Sequence, residues 1–360
     1  MVRNQISYMR VAAAFAVVLI HVSANAVVER DPYSQHIGHA FNSLGRWAVP
    51  LFVMISGAML LSSSKRHSVR EFYARRVMRI VPPLLFWNLV YFRLMYWGAH
   101  LSVAQAADIV VYKGGFYWHL WYLPMILGLY LMTPFLQSGI RRISPRDRWL
   151  LVVPFCAAVS ACYLVWGHLL ERVPTIALSI PFLSYFVLGY CLDALHVGRK
   201  TVFACIVLFL LAYVGTVAGD RALGDLGRFQ HPFSPTIFVM AASVFLVFRG
   251  WFGGKDTGRA TWMHRLAAVT MGVYLVHPLV IHTMRRFSVS DSSTPWLAIP
   301  LWTVAVFVVS LAVSLAWARV VPCTRRAWVL LRAEKPASPE ADGAVSAVCS
   351  GALGGSDRDK

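Results

Sequence analysis

What most constrains this chain is the recurrence of apolar runs long enough to cross a bilayer. A helix of about 20 apolar residues covers the roughly 30 Å of hydrocarbon in a membrane, and the sequence offers about ten such runs. They lie near 9–28, 49–61, 80–97, 118–136, 149–167, 175–192, 201–218, 235–248, 266–284 and 297–318. The second and eighth are short and cross only if their flanks extend them. Backbone groups inside lipid must be satisfied within the segment, so runs of this kind fold as helices. The predicted fold is an all-α polytopic membrane bundle of about ten transmembrane helices. Composition agrees, with 58% hydrophobic and 14% charged residues, against about 25% charged in an ordinary soluble domain. The expected division is a membrane domain over 1–332 and a tail over 333–360, whose Pro, Ala, Ser, Gly and acidic residues predict disorder on the cytoplasmic side.

A net charge of +18 would suggest nucleic acid in a soluble protein. Here its placement gives another reason. With the N-terminus taken as cytoplasmic, 25 of the 34 Lys and Arg fall on one side, in segments such as Lys65 to Arg79, Arg141 to Arg148 and Arg249 to Arg265. That asymmetry is the positive-inside bias, which predicts both termini in the cytoplasm and needs no polyanionic partner. The six cysteines form no CxxC pair and lie at no metal spacing, so neither a disulfide framework nor a metal site is expected.

The first run also fits a secretory signal peptide, with Arg3 and Arg10 as its basic region and Ala24-Asn25-Ala26 imitating a cleavage site. The apolar runs that follow, and a polar His21 within the segment, favour a retained helix. At about 100° and 1.5 Å per residue, Arg10 and His21 lie about 16 Å apart and only about 20° off one face. Asn25 follows His21 by one turn, within reach of a same-face hydrogen bond.

Ionisable side chains inside a membrane are costly and mark function. Acids are nearly absent from the expected spans: Asp193 falls at a cytoplasmic end, and Asp108, Asp220, Asp225 and Asp291 fall in outer loops. Histidines are the candidates instead. His21 is in the first span, His119 at the outer end of the fourth, and His277 and His282 are in the ninth. A desolvated imidazole stays neutral, which suits a general base or acyl acceptor. His282 reads as an interfacial residue. Between the second and third spans, Arg76 and Arg79 share a face, and guanidinium forks bind phosphate well.

These residues carry a resemblance. Arg10 and His21 are similar to the Arg-x10-His signature of the membrane acyltransferase 3 family, and Val49-Pro50-Leu51-Phe52 through Ser56-Gly57 to its second-helix motif. Arg76-Val77-Met78-Arg79 resembles its Arg-x-x-Arg. Phe116 through Leu123 is similar to its fourth-helix aromatic motif, and Gly272-Val273-Tyr274-Leu275-Val276-His277 to its late motif. Within the family, the chain resembles the enterobacterial common antigen O-acetyltransferase type.

The resemblance implies transfer of an acyl group, usually acetyl, from cytoplasmic acyl-CoA to a hydroxyl of a cell-surface or lipid-linked glycan, in a bacterial inner membrane. Acetyl-CoA is then a donor substrate, and no tightly bound cofactor is expected. Arg10, Arg76 and Arg79 are expected to hold the coenzyme and His21 to do the acyl chemistry, with His277, Asn25 and Tyr274 as catalytic partners. Ser56 and Tyr274 are candidate oxyanion donors. His119 and Trp121 are candidate acceptor contacts. The alternative class is a transporter or flippase for a polysaccharide unit or amphiphile, which would consume no acyl-CoA.

Overall fold

The computed structural model describes residues 4–29, 31–63, 68–98, 100–167, 173–224, 227–253, 261–285 and 294–333, with side chains described except at 261, 285 and 320–333. It divides into two units, Met1–Ser314 and Leu315–Lys360. Among the described residues there are helices and no strands. In order they are α1 (Asn4–Val27), α2 (Pro32–Gly45), α3 (Ala48–Leu61), α4 (Val69–Met95), α5 (Val103–Tyr112), α6 (Tyr122–Ile140), α7 (Pro145–Trp166), α8 (Ser179–Asp193), α9 (Arg199–Leu223), α10 (Pro235–Phe252), α11 (Thr261–Arg285) and α12 (Pro295–Ala333). Short 3-10 turns, Trp118–Trp121 and Thr175–Leu178, lead into α6 and α8. The residues of α12 from Leu315 onward belong to the second unit, whose described part is helical. The tail expected over 333–360 lies outside the described residues beyond Ala333.

Ten of these segments are long and apolar enough to cross a membrane, which matches the polytopic bundle expected from hydropathy. Two boundaries differ, for one reason. Within the stretch from Glu29 to Arg46, expected as an outer loop, Pro32–Gly45 form α2, and with α3 they make a candidate span over Pro32–Leu61. Asp31 caps α2, accepting from the Ser34 amide at 2.8 Å, and Pro32 starts its first turn, where a missing N–H costs nothing. The face it buries is polar, with His39, Asn42 and Ser43 at or near zero exposure, so an apolar-run criterion does not register it. Likewise α4 begins at Val69, not Ile80. Ser68 caps it by accepting from the Glu71 amide at 3.2 Å, and Arg70 to Arg79 form its first turns.

The core is built around α1 and α3. Ile6, Met9, Ala13, Val17 and Ile20 of α1 pack with Leu51, Met54 and Ile55 of α3 and Phe182 and Phe186 of α8 in one buried cluster. The opposite face of α1, at Val18 and Val22, packs with Val273, Val276 and Val280 of α11. Backbones touch where α3 crosses α8: a Cβ at Gly57 would collide with the Phe186 carbonyl, and one at Gly189 with that of Met54. Small residues at such crossings let membrane helices approach closely, where lipid gives no hydrophobic drive for association.

Candidate functional site

Three imidazoles from three separate elements meet in the bundle. His21 projects from α1, His119 from the turn before α6 and His277 from α11. The ring centroids of His21 and His277 are 5.2 Å apart, and those of His119 and His277 are 5.6 Å apart. His119 and His277 are almost fully buried, at 2% and 0% exposure. Pro278 has no amide to give the Tyr274 carbonyl, four residues back. His277 Nδ1 turns to that end of the helix and lies 3.1 Å from the Val273 carbonyl. A nitrogen facing a carbonyl must carry the proton, so Nε2 of the neutral ring keeps the lone pair. His277 Nε2 and both ring nitrogens of His119 are buried without a hydrogen-bond partner among the described residues. Buried polar atoms are nearly always paired, so this is where a polar ligand group fits.

Aromatic rings wall the cluster. Trp118 lies over His21 at 4.0 Å between centroids and keeps 47% of its surface exposed, so it touches the site and its surroundings at once. Tyr274 is 5.3 Å from His119 and 6.2 Å from His277, and its hydroxyl donates to the His119 carbonyl. Tyr91 Oη donates to the Leu275 carbonyl at 2.9 Å. These two bonds tie α4 and the His119 turn to α11.

At the other end of α1 three guanidiniums converge. Arg79 and Arg76 of α4 are charge neighbours of Arg10, along with Tyr130 and Tyr122 of α6. Arg10 reaches Met59 Sδ at 3.2 Å, and Arg76 lies over the rings of Phe72 and Tyr130 at 5.3 and 5.4 Å. Arg76 Nε is buried without a partner among the described residues. Among the described residues the charge neighbours of Arg10 are arginines and tyrosines, a surrounding that suits an anion. Tyr122 joins the two ends. It is a neighbour of Arg10, and its ring lies 5.6 Å from Tyr274, which touches His119.

Beside His21, α2 contributes a polar network. Asn42 donates to the Ile20 carbonyl at 2.7 Å and to Ser23 Oγ at 3.2 Å, gripping α1 on both sides of His21. Arg46 Nε donates to Asn42 Oδ1 at 2.7 Å, and its Nη2 to Gln230 Oε1 at 2.9 Å. Gln230 in turn donates to Ser43 Oγ at 2.9 Å. His39 Nε2 and Asp220 Oδ2 form a pair 3.0 Å apart at 2% and 0% side-chain exposure, and Asp220 Oδ1 accepts from the Phe229 amide at 2.6 Å. Arg46 is a charge neighbour of His21.

Several expectations change. The bundle does hold a buried carboxylate: Asp220, expected in an outer loop, lies in the last turns of α9 against His39. Asn25, expected to reach His21 along α1, makes no side-chain hydrogen bond among the described residues, and the amide that grips this helix is Asn42. Ser56 Oγ donates within its own helix, to the Phe52 carbonyl at 3.0 Å. Trp121, besides packing against Phe182 and Tyr122, lines one cleft with its neighbour Trp118, and it is Trp118 that covers His21. The one legible sign of the α2 network was a set of polar residues at helical spacing, His39, Asn42, Ser43 and Arg46, in a stretch too polar for a membrane run.

The structure is thus a polytopic helical bundle that gathers guanidiniums near one end of a buried helix and imidazoles near the other. A family model described as an acyltransferase domain matches residues 3–319. The chain therefore belongs to the acyltransferase 3 family and is a membrane acyltransferase. No curated protein and no solved structure matches it.

Proposed function

We propose that this protein is a membrane O-acyltransferase of the bacterial inner membrane that moves an acyl group, acetyl in the simplest case, from acyl-CoA to a hydroxyl of a cell-surface or lipid-linked glycan. The observation that supports this reading is the pairing of two clusters on α1. Arg10, Arg76 and Arg79 offer an anion site, and about 16 Å along the helix His21 meets His119 and His277, with Tyr122 and Tyr274 between. An acyl-CoA has the same layout, with phosphates at one end and a thioester at the tip of an extended arm. Both termini on the donor side agree with the charge asymmetry.

In the direct mechanism His21 accepts the proton of the acceptor hydroxyl as that oxygen attacks the thioester carbon. The new C–O bond forms, the C–S bond breaks, and the proton passes to the departing thiolate. In the covalent variant a His21 ring nitrogen attacks first and the coenzyme leaves as the thiol. The hydroxyl then takes the acyl group from the imidazole, and its proton restores the ring. His277, with Nδ1 held by Val273 and Nε2 open, orients as the second base.

The test is thiol release from acetyl-CoA by purified protein supplied with glycan acceptor. His21→Ala should lower the rate at least 100-fold, and unchanged turnover would overturn both mechanisms. Labelled acetyl trapped on the wild-type chain, and absent from His21→Ala, selects the covalent route.

A further inference from the structure

Next to the imidazoles, on the side away from Arg10, the structure has a cleft of about 700 Å³ lined by Tyr96, Tyr112, Lys113, Trp118, Trp121 and Thr175 among others. That volume lies within the range of small-ligand sites. Aromatic residues are common at membrane interfaces as a belt, but belt side chains face lipid across a convex surface, whereas these line a concavity. The loop that forms its floor is held from within. Asn88, a buried residue of α4, accepts from the Phe116 amide at 2.9 Å while donating to the Leu84 carbonyl at 2.9 Å. Gly114 and Gly115 have φ of 77° and 148°, and a Cβ at Gly115 would come within 2.9 Å of the Leu120 side chain. Only glycine takes this path without strain. From the other side Thr175 donates to the Val111 carbonyl at 2.9 Å, closing the rim against α5.

We propose that this cleft is the acceptor site and that it takes a pyranose carrying an acidic group, the sugar ring stacked on the tyrosines and tryptophans and the anion paired with Lys113. This inference rests on the acyltransferase reading and specifies its acceptor. Three observations support it. Trp118 lines the cleft and touches His21, so a hydroxyl of a ring seated there has a short path to the imidazole. A pyranose has a polar rim and apolar C–H faces, which match aromatic walls with a hydroxyl and an ammonium among them. Lys113 is one of only nine Lys and Arg outside the 25 that follow the positive-inside bias, so topology does not account for its charge.

Saturation-transfer NMR on the full chain in neutral-lipid nanodiscs tests it, with N-acetylglucosamine, N-acetylglucosamine 1-phosphate and glycerol 3-phosphate as probes. The wild type should transfer saturation to ring C–H protons of both sugars and bind the phosphorylated one at least fivefold more tightly. Tyr96→Ala and Tyr112→Ala should each weaken both sugars at least fivefold. Lys113→Gln, at the exposed C-cap of α5, should erase the phosphate preference and leave the neutral sugar signal. Acetyl-CoA binding in each variant reports an intact fold. Absence of sugar signal, equal binding of the two sugars by wild type, a phosphate preference that survives Lys113→Gln, or glycerol 3-phosphate competing as well as the sugar phosphate would each overturn the proposal. His21-dependent thiol release is measured in the same preparations, so failure of the cleft and failure of the acyltransferase chemistry are read separately.

Discussion

Arg76 and Arg79 are required to do something a topology signal need not do, which is to face Arg10. Like charges brought together at a half-buried site repel, and an anion relieves that repulsion. Arg76→Ala and Arg79→Ala should therefore each weaken acetyl-CoA binding about tenfold or more. The residual affinity should fall further with added salt, because the contact lies near water and is screened. Calorimetric titration at two ionic strengths checks this, and affinity unchanged in both variants would assign the pair to topology alone. His231, in the loop before α10, makes a different prediction. Burial, with Arg46 nearby, pushes its pKa down to about 4, and its ring stacks on Tyr163 at 4.1 Å. As pH falls below about 6.5 the unfolded chain binds this proton first, so stability present near neutrality is lost progressively down to about pH 4. The loss from this residue should be about 3 kcal/mol by that linkage. Thermal unfolding across that range, compared with a flatter profile in His231→Gln, measures it.

For elements, the tie between α2 and α1 has the clearest consequence. Asn42 bonds the Ile20 carbonyl, Ser23 Oγ and Arg46 Nε, so Asn42→Ala removes three contacts and leaves a half-buried guanidinium short of an acceptor. Losses of this kind cost about 1–3 kcal/mol. Because the contacts flank His21, the variant should lose turnover more than acetyl-CoA affinity, since the guanidiniums proposed to hold the coenzyme are at the far end of α1. A thermal-shift measurement together with a split of kcat from KM tests both parts. If affinity falls and turnover per bound coenzyme does not, α2 has no role in placing His21.

For the whole molecule, the proposed transfer requires the guanidinium end of α1 to open to the donor side and the imidazoles, about 16 Å further along it, to be reached through the cleft from the other side. Cysteine placed at Arg142, between α6 and α7, should react with an impermeant thiol reagent only from the cytoplasmic side. At Tyr112, beside the cleft, it should react only from the other. Both are read in a cysteine-free background with right-side-out and inverted vesicles. Labelling of both positions from one side would dismantle the donor-to-acceptor arrangement.

The sequence by itself determined the helical bundle, because apolar length is a local property and lipid admits only segments that satisfy their own backbone. It also marked Arg10, His21, Arg76, Arg79, His119 and His277, since a charge or an imidazole is conspicuous against an apolar background. It could not show that α2 is a helix, because that face is stabilised by hydrogen bonds to α1 and to Gln230 rather than by apolar burial. Nor could it distinguish Trp118 from Trp121, three residues apart beside one turn, or pair Asp220 with His39 across 181 positions. Those outcomes were decided by tertiary structure, because partners distant in the chain and directions taken by side chains from a short turn exist only once the helices have packed.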